Sequence, residues 1–232
     1  MLVELGGVRL LTDPLLRRRV IHLRGHGARP PVPPEIDAVL LSHLHYDHLD
    51  LPSLRRLRPQ PRLLCPRGAA RFLSGAGFPG AAELLPGDST EVGDVRVVAT
   101  PAEHDPTRRP GGPQAVPIGF LMRHERSVYF AGDTDVFAEM AELGPVDVAL
   151  LPVAGWGPTL GPGHLDVERA ARAAALIRPR TAVPIHWETL YPRATRRGPW
   201  FRDPPRDFAA QVAELTPDVQ VLVLSPGDSL EL

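Results

Sequence analysis

The sequence predicts an α/β fold in which two packed β-sheets are covered by helices. Three observations predict it. Short apolar runs recur along the chain and stop abruptly at polar, Gly or Pro residues, as buried strands do. Strands dominate the first half, while helical patterns are interspersed towards the end. The 232 residues are enough for one large core. No repeat, low-complexity tail or dividing linker breaks the pattern, so residues 1–232 are expected to form a single domain.

The elements follow in order. Leu2 to Leu5, a Gly6-Gly7 turn and Val8 to Leu11 read as a hairpin. A Pro-, Arg- and Gly-rich loop is expected from Pro14 to Pro34. Ala38 to Ser42 (AVLLS) reads as a buried strand, and Leu51, Leu54 and Leu57 are spaced for one face of a helix that stops before Pro59. Further strands are expected near Leu63, Val97, Phe120, Tyr129, Ala149, Val183 and Leu222. Helices are expected over Val136 to Leu143, Val167 to Ile177 and Asp207 to Leu215.

Composition narrows the class of function. Hydrophobic residues make up 43% and charged residues 23%, as in an ordinary packed protein. A net charge of -1 gives no general attraction to nucleic acid or to an anionic membrane, so neither is expected as a partner. The 26 basic residues are all Arg, a bias better read as codon composition than as function. One cysteine, Cys65, cannot form an internal disulfide and reads as a small buried hydrophobe in a reducing compartment. The start, MLVELGGVRLLTDP, lacks the features of a signal peptide, and no apolar stretch approaches about 18 residues. A cytoplasmic location without a transmembrane segment is the expectation.

The strongest chemical signal follows the AVLLS strand: HLHYDH, with His43, His45, Asp47 and His48 within six residues. Four nitrogen and oxygen ligands at the exit of a buried strand form a metal-site pattern. His43 and His45, two apart, can face one ion from an extended backbone. Asp47 and His48, where the chain turns towards the next helix, can face another. Three more candidates stand just past apolar runs: His104 in ATPAEHD, Asp133 in YFAGDTD and His186 in AVPIHWE.

HxHxDH followed by His, Asp and His, each at a strand end, resembles the metallo-β-lactamase superfamily. LLTDP, PAEH, YFAGDTD, GPGHLDVERAARAA and VPIHWET resemble the branch that includes L-ascorbate-6-phosphate lactonases, N-acyl-phosphatidylethanolamine phospholipase D and further metal-dependent hydrolases. The resemblance implies a four-layer αββα sandwich of two mixed sheets. It implies two divalent ions, zinc first with manganese or iron as alternatives. His43, His45 and His104 would hold one ion, Asp47, His48 and His186 the other, and Asp133 would bridge them. A water between the ions would then act as nucleophile on a small, anionic phosphodiester or lactone, with Asp47 orienting it.

Around this set the roles are less determined. His164, before a helix whose expected N-cap is Asp166, is a candidate for substrate contact or a structural loop residue. Asp13 either supports a metal-binding histidine or forms a turn before Pro14. Arg193, Arg196, Arg197 and Arg202, beside Trp200 and Phe201, either grip an anionic substrate or coat a solvated loop. Glu188 stands where such relatives commonly have Gly. His22, His26 and His124 carry no assigned role, and oligomeric state is not readable. The competing functions are a di-iron oxidoreductase or a nuclease on the same fold, and a non-catalytic metal-binding scaffold.

Overall fold

The computed structural model describes residues 1–25, 30–155, 160–187, 190–192 and 203–231. The chain opens with the expected hairpin, β1 (Leu2–Leu5) and β2 (Val8–Thr12). A short hairpin follows, β3 (Arg19–Val20) and β4 (Leu23–Gly25), then β5 (Ala38–Leu40), α1 (Leu51–Leu54), β6 (Arg62–Pro66), α2 (Ala70–Gly75) and β7 (Ala82–Leu84). Next come β8 (Ser89–Val92), β9 (Val95–Pro101), β10 (Ile118–Arg123), β11 (Ser127–Phe130) and β12 (Val148–Pro152). The remainder is α3 (Val167–Ile177), β13 (Thr181–Ile185), β14 (Leu190–Pro192), α4 (Pro204–Leu215) and β15 (Gln220–Val221).

One sheet has the order β1-β2-β5-β6-β7 and the other β15-β13-β12-β11-β10-β9-β8. Both are mixed. In the first, β1 and β2 are antiparallel and the rest parallel; in the second, β8 to β11 are antiparallel and β11, β12, β13 and β15 parallel. Alternation along the strands assigns each side chain to a layer. Ala38 and Leu40 face Phe120, Phe130 and Leu150 in the core between the sheets, whereas Val39 and Leu41 face Leu54 and Leu73 of α1 and α2. Tyr129, Ala149 and Leu151 face outward to Ala170, Ala174, Phe208 and Val212 of α3 and α4. The four layers are therefore helices, sheet, sheet, helices, as the resemblance implied.

The departures from expectation are local. The stretch from Pro14 to Pro34 is not all loop, because β3 and β4 pair within it and β4 also pairs with β14. The segment expected to be helical over Val136 to Leu143 is a single 3-10 stretch, Ala138–Glu142. The helix expected from Asp207 begins three residues earlier: Pro204 and Pro205 sit in its first turn, where a missing N–H costs nothing. β15 covers only two residues of the VQVLVL run, although the Leu222 N–H still donates to the Ala182 carbonyl at 3.0 Å. The strand expected to reach Ser42 ends at Leu40. α2, β7 and β8 carry too few apolar residues to register as elements from sequence. Among the described residues, no helix is long and apolar enough to cross a membrane.

Candidate metal centre

Parallel strands exit a sheet on one edge, and that edge positions the cluster. β5 of the first sheet delivers Ser42 and His43, after which the chain turns tightly: the His48 and Leu49 N–H groups both donate to the His45 carbonyl. Asp50 closes the turn by accepting from the Ser53 N–H as the N-cap of α1. In the second sheet, β9, β11 and β13 run in one direction, so His104, Asp133 and His186 emerge together. Gly132 brings the two edges into contact. Its φ is +64°, and a Cβ there would lie 2.7 Å from the Cβ of Ser42, so both conformation and space call for glycine.

All seven predicted donors converge. His45 Nδ1 lies 3.1 Å from His43 Nε2 and 2.9 Å from His104 Nε2. His48 Nε2 lies 3.2 Å from His186 Nε2, 3.2 Å from Asp133 Oδ2 and 3.7 Å from Asp47 Oδ2; His186 Nε2 is 3.6 Å from Asp47 and 3.8 Å from Asp133. Two donor triplets match the expected sets, His43–His45–His104 and Asp47–His48–His186, and Asp13 groups with His43 and His48 as well. His104 and His164 form a further triplet with Asp133. His164 Nε2 stands 4.0 Å from Asp133 Oδ2, and the side chain is 31% exposed, on the open side of the cluster. His22 and His124 belong to none of these groups; His124 packs on Gly6. His26, Glu188, Trp200, Phe201 and the arginines at 193, 196, 197 and 202 lie outside the described residues.

The outer nitrogens of four histidines are engaged, which decides how the inner ones face. His104 Nδ1–H donates to the Gly163 carbonyl at 2.6 Å, and His186 Nδ1–H donates to the Ala154 carbonyl at 2.9 Å. His48 Nδ1–H donates to Asp13 Oδ2 at 2.7 Å. Ser42 Oγ–H also donates to Asp13 Oδ2, so its oxygen accepts from His43 Nδ1–H at 2.9 Å. Each of these four rings then turns its Nε2 to the centre, where it offers a lone pair whenever the ring is neutral. Lone pairs about 3 Å apart repel unless a cation or a proton lies between them, and that donor chemistry fits a divalent ion with imidazole and carboxylate ligands.

The backbone is shaped for this. His186 adopts φ +60°, a left-handed conformation that costs a non-glycine residue about 1 kcal/mol or more and recurs at functional sites. Gly163, at φ +80°, brings its carbonyl to that ring, and a Cβ there would lie 3.2 Å from the His104 Cα. Two linking residues gave no sequence signal of their role. Ser42 relays between Asp13 and His43. Asp135 accepts from the Gly163 N–H at 3.3 Å and pairs with Arg169 of α3 at 3.5 Å, holding the 163–164 loop.

Charge divides unevenly across the cluster. Burial pushes His43 well below the usual imidazole value, and a charged His48 pushes it further; burial likewise lowers His45, and takes His104 to about 4. Burial also disfavours charge on His48 and His186, but Asp133 and Asp47 outweigh it. They raise His48 well above the ordinary value and His186 to about 9. In turn, burial would raise both carboxyls, yet His48 and His186 hold Asp47 at about 2 and Asp133 well below the carboxylate range. Without a metal, protons on His48 and His186 supply the positive charge that the carboxylates require.

A family model described as a β-lactamase superfamily domain matches residues 8–187. A UPF0173 metal-dependent hydrolase of Opitutus terrae is 33% identical over 239 residues, covering 100% of this chain and 95% of the relative. Another, from Methanopyrus kandleri, is 32% identical over 236 residues and covers 99% of this chain and 94% of its own. Among solved structures, Igni18, a metallo hydrolase from Ignicoccus hospitalis, superposes with a TM-score of 0.72 at 26% identity, covering 99% of this chain and 92% of that one.

Proposed function

The chain is a member of the β-lactamase superfamily, within the family of metal-dependent hydrolases, and on that premise we propose that it cleaves a small, anionic phosphodiester or lactone at two divalent ions. Zinc suits the imidazole-rich donor set best, with manganese or iron as alternatives. The observation that carries this reading is the inward-facing Nε2 of His43, His48, His104 and His186, each with its Nδ1 already committed to a partner. Two cations held there would acidify a water shared between them and polarise an oxygen of the substrate. His43, His45 and His104 would hold one ion, Asp47, His48 and His186 the other, with Asp133 reaching both.

The protein's own groups then divide the remaining work. Asp47, kept ionised, orients the attacking water. His164, half-buried beside Asp133 and just before α3, contacts the substrate; its neighbour Asp166 caps that helix by accepting from the Arg169 N–H at 2.9 Å. On this reading residues 1–232 act as one domain in the cytoplasm, without nucleic acid as partner.

The test is metal content together with hydrolysis of bis(p-nitrophenyl) phosphate and a simple lactone. The expected result is about two divalent ions per chain and turnover of at least one substrate, abolished in folded Asp47→Ala and His45→Ala proteins. Full turnover by either metal-loaded variant would refute the assignment. Two bound metals with no turnover of any ester would favour a binding scaffold instead.

A further inference from the structure

Arg108 is the only buried arginine among the described residues, at 8% exposure. It lies in the loop that follows His104. There the Arg108 N–H donates to the Pro113 carbonyl, the Ala115 N–H donates to the Pro106 carbonyl, both at 3.0 Å, and Thr107 bridges Gln114. From this anchored backbone the side chain crosses to the first sheet. Nη1 donates to the carbonyls of Leu44 and Leu49, the latter at 3.1 Å. The guanidinium carbon sits 4.1 Å from the ring centre of Tyr46 and 4.9 Å from that of Phe72 in α2.

A buried guanidinium is expensive, its desolvation amounting to several kcal/mol even after relaxation. No described carboxylate comes within ion-pair distance of it, so two carbonyls, two ring faces, the Tyr46 hydroxyl and the more distant charge of Asp50 carry the compensation. An apolar side chain would fill the same space without that cost. What it would lack is the connection: one planar nitrogen, with two N–H groups at a fixed angle, ties together both ends of the 44–49 turn. His45, Asp47 and His48 all lie inside that span, and His104 lies four residues before Arg108 itself.

We infer that Arg108 is a positioning residue, a brace that holds the His45–Asp47–His48 turn in ligating geometry and ties it to the His104 loop. This rests on the metal-centre reading above. The contacts act on main-chain carbonyls, so the brace fixes where the ligand-bearing backbone runs and leaves the donor atoms themselves untouched.

The test is competition between the protein and a chelator for a divalent cation, zinc first and then manganese, well below each protein's unfolding midpoint. Wild type, Arg108→Met and Arg108→Lys are compared. Arg108→Met is expected to bind roughly 10–100-fold more weakly, the usual loss when a group supporting a metal ligand is removed. Arg108→Lys keeps the charge but not the planar pair of N–H groups, and should fall in between, at least about threefold weaker. A merely structural arginine would lower the unfolding midpoint and leave the affinity of the folded protein alone. A change under about threefold in every variant that folds, Lys alone if Met does not, would overturn the inference. Wild-type protein that binds no divalent ion would overturn the metal-centre reading beneath it, so the two failures are separable.

Discussion

Replacing Asp13 with Asn should damage the metal centre from outside it. Asn keeps the size of the side chain and tolerates the left-handed backbone at this position, φ +38°, so the perturbation is confined to hydrogen bonding. The carboxylate accepts three bonds: the Ser42 N–H on Oδ1 at 2.8 Å, and both Ser42 Oγ–H and His48 Nδ1–H on Oδ2. An amide can accept on one atom only. With its oxygen towards Ser42 N–H, the NH2 group confronts two donors. The His48 proton then moves to Nε2, where it blocks the lone pair, and the Ser42–His43 relay reverses. With the amide flipped, the backbone N–H loses its acceptor at a cost of about 1–3 kcal/mol. Because Asp13 orients His43 and His48, one histidine of each proposed ion site, both are expected to suffer. The expected loss is about 10–100-fold in metal affinity, equivalent to roughly 1.4–2.7 kcal/mol. Competition against a fluorescent chelator at neutral pH measures it, with circular dichroism as the control for folding. Affinity within about twofold of wild type would show that the tautomers of His43 and His48 are set by something other than Asp13.

Two further outcomes follow from the charge distribution. Near neutral pH the metal-free protein holds protons on His48 and on His186, whose value is raised to about 9, so loading with metal should expel roughly two protons per chain. Calorimetry in buffers of different ionisation enthalpy reads this directly, and buffer-independent heats would contradict it. The same shifts make the stability of the metal-free protein peak near the ordinary imidazole value of 6.5. The raised His186 contributes fully below 6.5 and loses its contribution as pH rises towards 9, while the lowered His104 contributes above 6.5 and loses it as pH falls towards 4. A midpoint that climbs steadily across that window would be the wrong result. Burial pushes the Cys65 thiol up to about 12, so a thiol reagent should label it only on unfolding; rapid labelling of the native protein would show that this β6 side chain is not buried under α2.

The layers were legible because a strand buried on both faces has to be apolar at every position. Ala38 to Leu40, Val148 to Leu151 and Ala182 to Pro184 are such strands, and each stood out within a run. Edge elements have no such requirement. β8, Ser89–Val92, alternates exposed and buried positions at the rim of its sheet and is marked mainly by the Gly93-Asp94 turn into β9. β3 and β4 were invisible for a different reason: their pairing depends on β14, more than 160 residues away, and on packing Val20, Leu23 and Leu190 against Tyr46. No local pattern records such a partner.

The donors separate along the same line. HLHYDH is readable because its four donors are neighbours in the chain, and His104, Asp133 and His186 because each interrupts the end of an apolar run. Their orientation is not readable. It depends on carbonyls at Gly163 and Ala154 and on the Asp13–Ser42 relay, all but Ser42 distant in sequence from the rings they hold. The division has a mechanical consequence. His43, His45, Asp47 and His48 ride on the first sheet, and His104, Asp133 and His186 on the second. The core between the sheets, Leu40 and Leu64 against Phe120 and Phe130, brings the two groups together, and Arg108 and the Gly132–Ser42 contact tie their edges. Neither half holds a complete set of donors. Gathering so many polar donors within about 3–4 Å of one another and away from water is unfavourable in itself, so the apolar burial that docks the sheets is what offsets that cost. The candidate metal centre is therefore assembled largely by residues that never touch it.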